Sequence, residues 1–277
     1  MKRRTLLRQC LLTRSGRNSG RRSFVYTDPV LVAIVFSIFC FSNVPTVRGQ
    51  GGTHRHIGFR SDNARLESVQ RNRPLMRGGN GAALPARVSL RKYLPRVGDQ
   101  GLHPTDAAWA VAYAGLTCVK AVGQSSSNAK LIDSMAFSPG FVTAIVTEEH
   151  RTSCEQGISL LDALEATLRV GAMPLRDFPY ECQMDVPVWL KAKAGQNRIS
   201  AFCKLFDPGD PDKHFALKRS LAEQNPVVAG LRYVESFLDG DEVWRPSPAE
   251  LSSESGGNDT IIAVTVIGYD DTMLGGS

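Results

Sequence analysis

The chain has 277 residues, enough for one sizeable globular domain with extensions. Its 42% hydrophobic and 22% charged residues are ordinary for a folded protein. The net charge of +6 is unevenly spread: residues 1–85 carry 15 Lys/Arg and 3 Asp/Glu (net +12), and residues 86–277 carry the other 18 and 24 (net −6). The basic balance therefore belongs to the N-terminal extension, and no nucleic-acid partner is expected, since a binding face should sit on the fold.

The first 27 residues hold eight basic residues and no acid, followed by an apolar run from Val30 to Phe41 that weakens toward Val44. A membrane span needs ~20 residues, so this run fits the h-region of a signal peptide, with a cleavage point after Gly49 and Val47 at the third position back. Gly20-Arg21-Arg22-Ser23-Phe24-Val25 loosely matches a twin-arginine export signal. An uncleaved signal-anchor, with membrane association through residues 30–44, is one alternative. A mitochondrial presequence is another, because the start is Arg-rich and acid-free. Residues 1–49 are thus read as a targeting segment and the expected location as exported or membrane-anchored.

Residues 50–85, rich in Gly, Arg, Asn and Ser, read as a flexible basic linker in which His54 and His56 are solvated. The fold begins near Leu84. Residues 107–121 are Ala-rich and predict a buried helix with Asp106 as N-cap. Leu160, Leu161, Leu164 and Leu168 predict a second helix over 158–169, which Gly171 stops. Residues 198–206 alternate and read as a strand, and 212–223 form a helix that Asn225-Pro226 ends. Val227–Tyr233 and Ile261–Tyr269 are β-branched runs that suggest buried strands. Helices first and strands second argue for an α+β fold: a helical lobe over 86–195 and a β-rich lobe over 196–277. Of the six cysteines, Cys10 and Cys40 lie in the targeting region. Cys118 falls in an apolar helical pattern and is expected as a buried thiol. Cys154 with Cys182 is the expected disulfide.

Six segments, in order, carry a family resemblance. They are LPARVSLRKYLPRVGDQG (84–101), with the stretch from Gln100 to Trp109 that follows it; FSPGFV (137–142); Ser153-Cys154-Glu155-Gln156-Gly157; LLDALEATLRVGAMPLRDFPY (160–180); LKRSLAEQNPVVAGL (217–231); and AVTVIGYDD (263–271). Together they resemble papain-like cysteine peptidases, most closely the bacterial-type members. The resemblance implies a two-lobed α+β fold whose right-lobe barrel lacks its last strands, leaving a sheet edge for a partner or further chain to cover.

The resemblance also places a catalytic apparatus. The nucleophilic cysteine at the start of the first helix is Asp106 here, and the histidine position, six residues before the Gly of V-G-Y, is Ile262. Gln100 retains the position of the oxyanion glutamine, and the asparagine of an N-S-W segment would lie past Ser277. A carboxylate lacks thiolate nucleophilicity toward amides, and isoleucine accepts no proton. Asp106 as an N-cap and Ile262 as a strand residue both favour the fold over chemistry. Thr105 could act as a nucleophile but has no base. His103 could pair locally with Asp106 as a surface ion pair. His150 and His214 are expected to be solvated, and Asn258 and Asp259 to form a turn. Cys154 matches a structural cysteine whose usual partner position is His103, so that disulfide is lost.

Three readings of function follow. The first is a catalytically inactive papain-like homologue that binds a peptide or protein through an open inter-lobe cleft lined by Gln100, Asp106, Trp109, Glu155, Gln156 and Gly157. The second is an active peptidase or hydrolase with relocated catalytic groups, which requires a Ser, Thr or Cys within hydrogen-bond reach of a His. The third is a membrane-tethered structural subunit with a filled cleft. No cofactor or metal is expected: the chain has no Cys-x-x-Cys pair, no Gly-rich phosphate loop and no helix with spaced histidines.

Overall fold

The computed structural model describes residues 31–36, 62–71, 83–182, 185–207, 209–232, 235–237 and 261–272, with positions 244, 247, 248 and 250. Residues 106–194 are mainly helical and four of the six described strands lie within 201–270, a mixture consistent with the α+β pattern, although two strands precede that helical run. In chain order the larger elements are β1 (Leu31–Phe36), α1 (Asn63–Glu67), β2 (Arg87–Ser89), α2 (Asp106–Ala108), a π-helical stretch (Trp109–Leu116) and α3 (Thr117–Gly123). Then follow α4 (Ala129–Met135), α5 (Pro139–His150), α6 (Leu160–Arg169), α7 (Val188–Ala194), β3 (Ala201–Lys204), α8 (Lys213–Ala222), β4 (Val227–Arg232), β5 (Ile261–Val266) and β6 (Gly268–Asp270).

The Ala-rich segment forms one run from α2 through the π stretch to α3. Small side chains let it sit between two apolar clusters: Ala107, Ala108, Val111 and Leu116 face one, Cys118 and Ala121 the other. A Cβ at Gly115 would stand 2.9 Å from the Ala110 oxygen five residues back in the same run, so glycine suits the π stretch, while Val228 Cγ1 on β4, at 3.4 Å, would be in ordinary contact. Around this helix, α5 and α6 complete the helical lobe. Ser138 and Ser159 cap them, accepting hydrogen bonds from the amides of Phe141 and Asp162.

The larger sheet has the order β3-β1-β4-β5, and β2 pairs with β6 separately. β4 and β5 are antiparallel over Val227↔Val266 to Arg232↔Ile261. β1 is parallel to both its neighbours, with Leu31↔Ala201 and Ala33↔Val227 in register. The described strands form no closed barrel. β1 lies inside the segment read from sequence as a targeting h-region. Among the described residues no helix is long and apolar enough to cross a membrane.

Within the stretch expected to be a linker, Asn63–Glu67 is helical and Leu66 is only 6% exposed, packed in the first cluster. Arg65 explains the docking: its guanidinium donates to Asp62 at 2.5 Å, Asp162 at 2.7 Å and Glu165 at 2.8 Å. This charged neighbourhood and the Ser159 hydroxyl hold the Asp162 carboxyl below the usual carboxylate range, although burial, the largest influence, works the other way. An isolated five-residue helix would be marginal, so tertiary contacts and not local propensity order this segment.

Candidate functional site

The site grows from the loop at 99–105 that leads into α2. Asp99 Oδ1 accepts from the Gly101 amide at 2.8 Å, and Gly101 takes a φ of +66°. The Gln100 side chain donates from Nε2 to the His103 carbonyl at 2.8 Å. That uses one of its two amide protons, and the other meets no acceptor among the described residues. Thr105, 1% exposed, is the residue from which the helix starts: its carbonyl accepts from the amides of Ala108 and Trp109. The start is thus one residue earlier than the sequence implies. Asp106 is the first helical residue and not the N-cap, because its carboxylate is engaged elsewhere.

That engagement crosses from helix to sheet. The Ala263 amide on β5 donates to Asp106 Oδ2 at 2.6 Å, while Oδ1 is buried without a hydrogen-bond partner among the described residues. Burial pushes the Asp106 carboxyl from 3.8 to about 6, opposed by the amides of Ala263, Asp106 and Ala107. Two residues along β5, the Thr265 hydroxyl donates to the Ala110 carbonyl at 2.8 Å. Thus the 261/263/265 register of β5 meets the helix. Ile262, 8% exposed, shares the alternate register with Val264 and Val266, which pack in the second cluster. Asp106 therefore meets the backbone of β5 at Ala263 and not the Ile262 side chain.

Tyr180, to which the sequence reading gave no role, ties the site together. Its hydroxyl donates to the Gln100 carbonyl at 2.9 Å and lies 2.5 Å from Thr105 Oγ1. Its ring meets Trp109 edge-on at 5.1 Å, and Trp109 lies 4.7 Å from Tyr113. The Phe-Pro-Tyr position gave a motif but no partner, since both partners lie about 80 residues earlier. Tyr180→Phe should lose about 1–2 kcal/mol and leave the buried Thr105 hydroxyl unsatisfied. Chemical denaturation checks this; an unchanged midpoint would show that the hydroxyl is not a tie.

Cys154 and Cys182 are joined, with Cα atoms 5.7 Å apart. Next to Cys154, Glu155 and Gln156 are exposed and Gly157 is buried, and none of the three lines the hollow at Gln100. A hollow of about 490 Å³ is lined by Asp99, Gln100, Gly101, Leu102, His103, Tyr180, Glu181 and Cys182. Gln100 lines it, whereas Asp106 is 5% exposed and lies beneath the surface.

The histidines are dispersed. The expected His103–Asp106 ion pair does not form among the described residues: His103 lies against the two sulfurs, its ligand nitrogen within 4.8 Å of both. His150 is exposed, yet its Nε2 is 3.4 Å from Asp162, an ion-pair neighbour the sequence did not reveal. His214 is exposed, as expected. His54, His56, Asn258 and Asp259 fall outside the described residues. Cys118 is buried and its thiol is pushed up to about 12 by burial, so it is an inert thiol and not a nucleophile.

No family model and no curated protein matches the sequence. Solved structures do match. Xylellain, a cysteine protease from Xylella fastidiosa, aligns with a TM-score of 0.58 at 21% identity, covering 83% of this chain and 84% of its own. Digestive procathepsin L 3 of Tenebrio molitor aligns at 0.53 and 16% identity, over 68% and 56%. A structure from the mite allergen pair Blo t 1 and Der p 1 aligns at 0.54 and 15% identity, over 78% and 66%. The chain has the fold of the papain-like cysteine proteases.

Proposed function

We propose that the protein is a peptidase homologue without hydrolytic activity that holds an extended peptide or protein segment in the groove beside the 99–103 loop. The observation that carries this reading is Asp106: where the resemblance places a thiolate, a buried carboxylate accepts a hydrogen bond from the Ala263 amide. A carboxylate so placed has neither the nucleophilicity nor the base that amide hydrolysis requires. Further support comes from the other nucleophile types. Thr105 Oγ1 is bonded to Tyr180, and Cys154 and Cys182 are bonded to each other, so neither arrangement supplies a nucleophile–imidazole pair. The groove offers what peptide capture needs: a Gln100 amide proton that meets no acceptor among the described residues, the exposed Glu181 carboxylate and an apolar contact at Leu102, which is 50% exposed.

The test is intact-mass analysis of the purified chain after exposure to an epoxide specific for papain-like thiolates, beside a broad fluorogenic peptide panel. The expected result is no adduct and no turnover. Turnover abolished by changing one residue, or an adduct on Cys118 or Cys154, would overturn the reading.

A further inference from the structure

His103, Cys154 and Cys182 come from three separate loops, yet their ligand atoms all lie within 4.8 Å of one another. Each loop is held by bonds that do not involve the cluster. The His103 carbonyl accepts from Gln100 Nε2 and from the Thr105 amide, both at 2.8 Å. Cys154 is 1% exposed and its carbonyl accepts from the Gly157 amide at 3.2 Å. Tyr180, two residues before Cys182, is tied to Gln100 and Thr105. The backbone beside the three donors is therefore held by bonds other than the Cys154–Cys182 disulfide.

We propose that, when the Cys154–Cys182 disulfide is reduced, these three residues bind a divalent cation of zinc type. Zinc takes thiolate at ~2.3 Å and imidazole at ~2.0–2.1 Å, so tetrahedral donors stand roughly 3.5–3.8 Å apart, within the span of this cluster. Two thiolates and one imidazole are a borderline-soft set that suits zinc over magnesium or calcium. The chemistry is a two-step exchange. Two thiol groups of a reductant deliver two electrons and two protons to the disulfide and are themselves joined as a disulfide. The metal ion then displaces one proton from each thiol, forming two metal–sulfur bonds and one bond to neutral His103. Because His103 and Cys182 line the 490 Å³ hollow, the fourth position faces it and takes water or another small donor. The disulfide and the metal are mutually exclusive, so the site reports the redox state of its surroundings.

The test uses the full chain with Cys10→Ser and Cys40→Ser, which removes the two N-terminal thiols. Reduced with a phosphine under inert gas, it should bind one equivalent of Co²⁺ with a thiolate-to-cobalt absorption band that Zn²⁺ bleaches. The oxidised chain should show no such band. His103→Ala should weaken Co²⁺ binding at least tenfold, and Cys182→Ser should reduce the band and weaken binding further. On the unsubstituted reduced chain, Zn²⁺ should slow alkylation of half-exposed Cys182, a readout that needs no variant to fold. A reduced chain without a stoichiometric band, a His103→Ala variant that binds like its parent, or alkylation unaffected by zinc would overturn the proposal.

Discussion

Asp106→Asn should remove a pH dependence that the parent chain shows between about pH 4 and pH 7. The Asp106 carboxyl is raised from 3.8 to about 6 chiefly by burial, so the folded state holds this proton more tightly than the unfolded state does. Its contribution to stability is therefore fully present below the unfolded value, near pH 4, and is lost as pH rises through about 6. A shift of this size corresponds to a term on the order of 3 kcal/mol. Asparagine keeps an oxygen for the Ala263 amide and carries no charge to desolvate. The measurement is the denaturant midpoint of both proteins at pH 4.5 and pH 7.5. The parent should lose stability between the two pH values relative to the variant, and the gap in favour of asparagine should widen with pH. Parallel profiles would show that the carboxylate is solvated and does not bridge helix and sheet.

The same residue shows what the sequence could and could not reveal. The helix beginning near residue 106 is legible from its run of alanines, and the β-branched stretches at 227–233 and 261–269 gave the strands. Asp106 at a helix start is legible too, but reading it as an N-cap assumed that its side chain serves its own helix. A donor 157 residues away at Ala263 takes it instead, and no local pattern encodes that partner. The same limit hides Tyr180, whose partners are Gln100 and Thr105, and α1, whose composition reads as linker because two of the carboxylates around Arg65, Asp162 and Glu165, and the pocket for Leu66 come from elsewhere in the fold. His103 is an intermediate case. Its place in the motif set it near Cys154, but proximity to Cys182 follows only from the path of the chain after Tyr180. Turns and glycines, by contrast, act through their own backbone angles and are readable one at a time.

Gly171 is the sharpest of these, and Gly171→Ala should destabilise the fold by at least ~3 kcal/mol, a fall of roughly 6–12 °C in Tm for a chain of this size. Gly171 follows the last turn of α6 with a φ of +98°, and its amide bonds to the Ala166 carbonyl at 3.2 Å, the left-handed ending that glycine permits. Two costs add at this position. An L-residue is strained at that angle, and a Cβ would stand 2.0 Å from the Ala194 oxygen and 2.7 Å from its carbonyl carbon. These are backbone atoms of α7, and Ala194 is fully buried in the first cluster, so neither can yield without moving the helix. Gly123→Ala is the matched control. A Cβ there meets nothing within 4 Å, and the residue closes α3 without a left-handed angle. It should be neutral or stabilising by about 0.4–1 kcal/mol through the unfolded chain. Equal midpoints for the two variants would mean that α7 is not packed against the end of α6. The segment that leaves α6 and ends in Tyr180, Glu181 and Cys182 at the groove would then lose its rigid backing.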